Sequence, residues 1–291
     1  MSKVEEKVKG TVETLEKVEQ PVAVIDESAS KAVAPVDDYS EDAGIGVENI
    51  SRDELLIPFI RILQPLSPEV NETESKYVEG AKAGALINTA TSELFDGKKG
   101  VLFIPVSRTH TFGEFVPRNS GGGFKGVWND DDPRIPALRA AQGQFGKLAL
   151  DNGNELVETY SFFGLVADAA EGLSDDTFWQ QAIIGFSSTQ IRAYRMITAR
   201  LVSLLGTPVK YPLWAFTWHL TTVGQKNAKG SFYGWRAALY GNAPTSALLK
   251  PSSASYQQAK SFHAFLQSGK AKPDYSTAGA QESDAEDELP F

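Results

Sequence analysis

One well-marked helix stands in the second half of the chain, and the segments on either side of it read as strands. Ser187 and Gln190 have the S-x-x-Q spacing of a capping box, in which the two side chains satisfy free backbone N–H groups at a helix start. Gly206, with Pro208 beyond it, supplies the stop. At about 100° per residue, Ile191, Tyr194, Ile197, Leu201, Leu204 and Leu205 gather on one side, and Arg192, Arg195 and Arg200 on the other. Before this helix, residues 101–116 form a long β run whose middle alternates, so that Arg108, His110, Phe112 and Glu114 share a face. Residues 85–88, 159–166 and 178–186 are further strands, and 95–100 is a turn. After the helix, residues 213–223 and 231–240 flank Gly224-Gln225-Lys226-Asn227-Ala228-Lys229-Gly230 as a hairpin. A last helical stretch covers about 252–267.

Several strands, a capped helix and then a hairpin is the order of an OB-type barrel with its helix inserted before the last strands. The expected class is therefore mainly β with a few helices (α+β), built as an OB-fold-like barrel. At 291 residues the chain exceeds a minimal barrel, so insertions such as 128–154 decorate it. The expected division is an acidic flexible arm at 1–50, an OB-like domain at 51–268 and a disordered acidic tail at 269–291. In the arm, Val4, Val8, Val12, Leu15 and Val18 make one stripe of a short helix that Pro21 stops.

Charge is segregated along the chain. The formal net charge is -9, yet residues 1–56 hold 6 basic and 14 acidic side chains, and residues 270–291 hold 2 and 6. Residues 177–273 contain no Asp or Glu, but eleven Lys and Arg and fifteen aromatic residues, among them four of the five tryptophans. A long stretch without carboxylates suggests a surface on which negative charge would repel the ligand. Single-stranded nucleic acid asks for this combination: cations meet phosphates, and aromatic faces stack on bases at about 1–3 kcal/mol each.

Candidate contacts follow from that chemistry. Arg108, Arg118, Lys125, Lys226, Lys229 and Arg236 are expected to meet phosphates, and Phe112, Phe124, Trp128, Tyr233 and Trp235 to stack on bases. The bulky row Trp214, Phe216, Trp218 and Leu220 reads as core. Tyr233 and Trp235, beside Arg236 and a two-lysine turn, are the better stacking candidates. The Gly-rich loop from Arg118 through Gly121-Gly122-Gly123 to Trp128 interleaves cation, glycine and aromatic, without the spacing of a phosphate-binding P-loop.

Other chemistry is poorly supplied. The chain has no cysteine, its three histidines are scattered, and no serine nucleophile motif is present. Asp130-Asp131-Asp132 precedes Pro133 and reads as a turn rather than an ion site. No enzyme, cofactor or metal is expected. No apolar run approaches the roughly 20 residues of a membrane helix, and the acidic N-terminus is unlike a secretory signal, so no membrane partner and a cytoplasmic setting are expected.

The last residues, Asp284-Ala285-Glu286-Asp287-Glu288-Leu289-Pro290-Phe291, resemble the acidic C-terminal tip of bacterial single-stranded DNA-binding proteins, which finish in acids, an aliphatic residue, Pro and Phe. The body looks more like the larger phage-encoded single-stranded DNA-binding proteins with an elaborated OB barrel. The resemblance implies that Asp284, Glu286, Asp287, Glu288, Leu289, Pro290 and Phe291 recruit a polymerase, helicase-primase or nuclease. The expected function is then sequence-tolerant single-stranded DNA binding in replication, recombination and repair. An RNA-binding or strand-annealing protein, and an adaptor that binds another acidic protein, are the alternatives; self-association stays open.

Overall fold

The computed structural model describes residues 56–117, 120–142, 147–206, 208–227, 230–268 and 272–273, all in the unit Gly46–Phe291. The expected helix at 4–18, the arm, the acidic tip, Arg118 and Lys229 lie outside the described residues.

The protein is mostly β with few helices. Its strands are β1 (Leu56–Ile57), β2 (Ile60–Ile62), β3 (Leu86–Asn88), β4 (Leu94–Phe95), β5 (Val101–Phe115), β6 (Phe124–Asn129), β7 (Lys147–Ala149), β8 (Glu155–Asp168), β9 (Gln180–Ser187), β10 (Trp218–Asn227), β11 (Gly230–Leu239) and β12 (Lys272–Pro273). The helices are α1 (Arg134–Gln142), α2 (Ile191–Leu205), α3 (Pro244–Ala247) and α4 (Ala254–Gln267). Seven strands form the main sheet, β2–β3–β4 form a second, and β1 pairs with β12 in parallel.

The long antiparallel ladder of β5 and β8 is the spine of the main sheet, pairing Val101 with Asp168 at one end and Phe115 with Glu155 at the other. Fifteen residues of strand reach about 50 Å. Because β8 occupies one edge of β5 along its length, β10 and β6 share the other edge. β10 pairs at Val101, Leu102 and Phe103, and β6 pairs at Thr111 to Phe115.

The period-2 alternation of the strands sorts their side chains into two cores. Val101 and Phe103 of β5, Phe162 and Val166 of β8, and Ala182, Ile184 and Phe186 of β9 face one side, where Tyr194, Ile197 and Leu201 of α2 cover them. Leu102, Ile104 and Val106 face the other side with Phe163 and Leu165, covered by Ala259 and Phe262 of α4. The ladder is thus buried on both faces near β10. Toward its far end Phe112 and Leu156 pack under Ile135 of α1 and Leu148 of β7. By the same alternation, α1 and α2 lie over one face.

The expected barrel does not close; the main sheet is an open, curled one. Its edge strands β9 and β11 approach without pairing, and Phe186 and Trp235 meet across the gap with ring centroids 6.4 Å apart. Side-chain amides take the place of the missing ladder. Gln64 accepts from the Tyr233 backbone N–H at 2.9 Å and donates to its carbonyl at 3.0 Å. Gln190 accepts from the Trp235 N–H at 2.9 Å and donates to the Tyr233 carbonyl at 3.3 Å. On the β9 side, Phe59 bridges to Ile183.

This corrects the capping-box expectation. Ser187 makes no side-chain cap bond, a 3-10 turn at Ser188–Gln190 precedes α2, and the Gln190 amide is committed to the edge of β11. The stop holds: Gly206 ends α2 at φ 80°, a left-handed conformation that glycine adopts without strain.

Candidate nucleic-acid interface

The two groups of sequence-predicted contacts hang on two hairpins, and the register sends those hairpins to opposite ends of the ladder. β10 passes Phe103 and Val101 and then runs seven residues beyond the start of β5, to Asn227. β6 pairs with the last residues of β5, so the glycine turn leaves at the other end. Lys125 and Phe124 therefore stand far from Lys226, and the structure does not gather them into one site. Within the second hairpin, Lys226 pairs with Ser231 and Arg236 with Thr221, an odd separation that puts the two cations on opposite faces.

Burial corrects two of the stacking candidates. Phe112 is 1% exposed and Trp235 is 3% exposed, both inside hydrophobic clusters. Neither ring has a face for a base. The alternating pattern identified which residues share a face, but the covering helices and the curl of the sheet turned both faces inward. Trp218 and Leu220 of the bulky row are core as expected, with Phe216, whereas Trp214 sits in a 3-10 turn and packs into the opposite core. Tyr233 is half-buried against Gly84, where an added methyl group would run into its ring. Trp128 is half-buried with the Arg134 guanidinium 3.6 Å from its ring centroid, and its indole N–H donates to Glu114 at 2.9 Å. Phe124 lies beside Phe115 at 5.5 Å between centroids. Arg108, Lys125, Lys226 and Arg236 are exposed.

Over the face shared by α1 and α2 the structure assembles two contrasting polar regions. Under α1, the nearly buried Glu158 carboxylate accepts from His110 Nε2 at 2.9 Å, Arg139 Nη2 at 2.5 Å and Tyr160 Oη at 2.9 Å. Burial, the largest single influence, pushes this carboxyl up, but the bonds from Tyr160, Arg139 and His110 outweigh it and its pKa lies below the ordinary range. The Tyr160 hydroxyl is pushed up to about 12 by burial and by its bond to Glu158. His110 Nδ1 lies 3.3 Å from Asp130, and Asp132, bonded by Arg134, is held down at about 2. Every cation of α1 is therefore matched to an acid.

The α2 side has no such partners. Arg192, Arg195, Arg200, Lys210, Lys226, Arg236, Lys250 and Lys260, the eight cations of the acid-free segment whose side chains are described, are all exposed. None is ion-paired among the described residues. They do not form one face, since Lys260 rides on α4 over the opposite core; the concentrated group is Arg192, Arg195 and Arg200 on α2. Arg108 joins it, donating from Nη1 to Tyr194 Oη at 3.4 Å. A column of rings links the two regions: His110 stacks on Tyr160 at 4.2 Å with planes 2° apart, and Tyr160 on Tyr194 at 4.5 Å. The three α2 arginines were visible in the sequence as the polar side of the capped helix, and their lack of acids nearby was the signal to weigh.

Among the described residues, no group of three or more His, Asp or Glu is placed to hold a metal ion, and no helix is long and apolar enough to cross a membrane. Fold and surface together define a β-rich protein with a cationic helical face. The chain belongs to the Pam3 phage gp34-like family, whose model matches residues 26–272, which makes it a phage-type protein. No curated protein and no solved structure matches it.

Proposed function

We propose that this protein binds single-stranded DNA without sequence preference and acts in phage DNA replication, recombination or repair as a binding protein rather than an enzyme. The observation that carries the reading is the set of exposed arginines on α2, which have no ion pair among the described residues, in a segment of 97 residues from which acids are absent. Free guanidinium groups are suited to phosphate oxygens, and counterion release on binding makes their contribution sequence-independent. Arg108 extends the cationic group, and the half-exposed rings of His110 and Tyr160 lie beside it. Lys125 and Phe124 at one end of the ladder, and Lys226 with Tyr233 at the other, are secondary contacts for a strand that runs along it. The acidic tip from Asp284 to Phe291 serves as the recruiting element for replication or recombination proteins and as a competitor for the cationic face.

The test is a titration of tryptophan fluorescence and anisotropy with oligo-dT, oligo-U and duplex DNA, on the full chain and on a chain lacking Ser283 to Phe291. The expected result is tighter binding to oligo-dT than to duplex, with quenching, and a further gain at low salt once the tip is removed. Equal affinity for duplex and single strand would sink the reading. Preference for oligo-U would move it to RNA, and no gain on deletion would remove the competitor role.

A further inference from the structure

We infer that the cleft between α2 and the edge of β11 receives one unstacked nucleobase of a bound single strand, with its flanking phosphate on Arg200. This rests on the nucleic-acid reading above and assigns that function a specific pocket. The cleft holds about 460 Å³ and is lined mainly by apolar side chains. That volume falls in the range of small-ligand sites, about 300–1,000 Å³, and accommodates a flat heterocycle with its sugar.

Its walls have the chemistry such a guest needs. Met196 forms part of the α2 wall and is 64% exposed, a large apolar side chain left open beside Arg192, Arg195 and Arg200. A thioether is polarisable and adapts to an aromatic face. Ala199 on the helix and Ala237 on the strand are small lining residues, which leaves room between the two walls. Arg200 is the one charged residue in the lining, so the rim attracts a phosphate and no carboxylate opposes it. Asn242, held at φ 58° just after β11, supplies an amide that both donates and accepts, as base edges of any identity require. Trp218 contributes to the floor; it is 2% exposed and its indole N–H has no hydrogen-bond partner among the described residues.

The edge of β11 explains why the opening lies here. Gln64 and Gln190 occupy the backbone at Tyr233 and Trp235, and neither reaches Ala238. Charge complementarity favours a nucleic-acid occupant: Arg192 and Arg195 continue along α2 from the cleft, and the whole surrounding segment lacks acids. The acidic tip of the same chain is the rival occupant, and the experiment separates the two.

The probe is a fluorescein-labelled dT oligonucleotide of about ten residues, within the usual site size of such proteins. Ala199→Trp fills the cleft from an exposed helix position and leaves every cation in place. It is expected to weaken binding about tenfold, the loss of one stacked base, with the log–log salt slope unchanged. Arg200→Ala is expected to lower that slope by about 0.7. Both effects should persist in the chain lacking Ser283 to Phe291. Wild-type affinity for Ala199→Trp overturns the cleft assignment and leaves the DNA-binding reading intact. An effect of Ala199→Trp seen only when the tip is present assigns the cleft to the tip and likewise overturns it. A wild-type chain that binds no single strand overturns both.

Discussion

Helices α1 and α2 lie over the same face of the same ladder, yet their arginines do different work. Arg134 and Arg139 of α1 are matched to Asp132 and Glu158, and Arg134 also covers the Trp128 ring. Arg192, Arg195 and Arg200 of α2 stand in solvent without an ion pair among the described residues. The sequence cause is local supply. Asp130, Asp132 and Glu158 lie close to α1 in the fold, whereas residues 177–273 offer no carboxylate at all. An arginine whose fork already grips a carboxylate has little left for a phosphate; an unmatched one is open to it. The comparison separates cations that hold the protein together from cations available to a ligand, which a count of basic residues would merge.

The comparison also requires that the buried aromatics near both helices act in packing, and the largest expected effect tests this. Trp235→Ala should destabilise the protein by about 3–5 kcal/mol, the usual cost of truncating a buried aromatic, read from denaturant unfolding. A variant with an unchanged unfolding midpoint and weakened DNA binding would instead return Trp235 to the surface.

A smaller effect sharpens the α1 side. Glu158→Gln removes the charge that three donors share, and should cost about 1–3 kcal/mol at neutral pH. The folded pKa of Glu158 is depressed, so its contribution is present above the ordinary carboxyl value near 4.5 and is lost as pH falls through the folded value. Thermal unfolding of the wild type should therefore show a loss below about pH 4.5 that Glu158→Gln shows less strongly. The same acid dependence in both proteins would mean that the Glu158 network contributes nothing.

Much of the architecture was legible because strand alternation is a strong signal. Residues 101–116 and 231–240 match β5 and β11 within a residue, and Gly206 ends α2 where it should. What alternation leaves out is the covering layer. Phe112 shares a face with the exposed Arg108, but α1 lands on Phe112, and nothing in the local pattern announces α1: of its nine residues only Ile135 is buried, and Pro136 sits in its first turn. The glycine run likewise concealed β6, a half-exposed strand in which Lys125 and Gly126 separate Phe124 from Val127 and Trp128. The Gln190 amide was assigned to the helix cap because short-range rules see only neighbours, while its actual partners are 43 and 45 positions away. Of the candidate cations, the described Arg108, Lys125, Lys226 and Arg236 are exposed, but register spreads them along a long ladder, and only α2 concentrates cations.

The central claim is that the unpaired arginines of α2, and not the paired ones of α1, meet the phosphates. The most direct measurement is the salt dependence of oligo-dT binding for wild type, for Arg192→Ala/Arg195→Ala/Arg200→Ala and for Arg134→Ala. Each phosphate contact on a single strand adds about 0.7 to the log–log slope, so the triple variant should lose about 2. Arg134→Ala should keep the wild-type slope and leave the unfolding midpoint nearly unchanged, as expected of an exposed pair. A triple variant with the wild-type slope, or equal losses in both variants, would contradict the account.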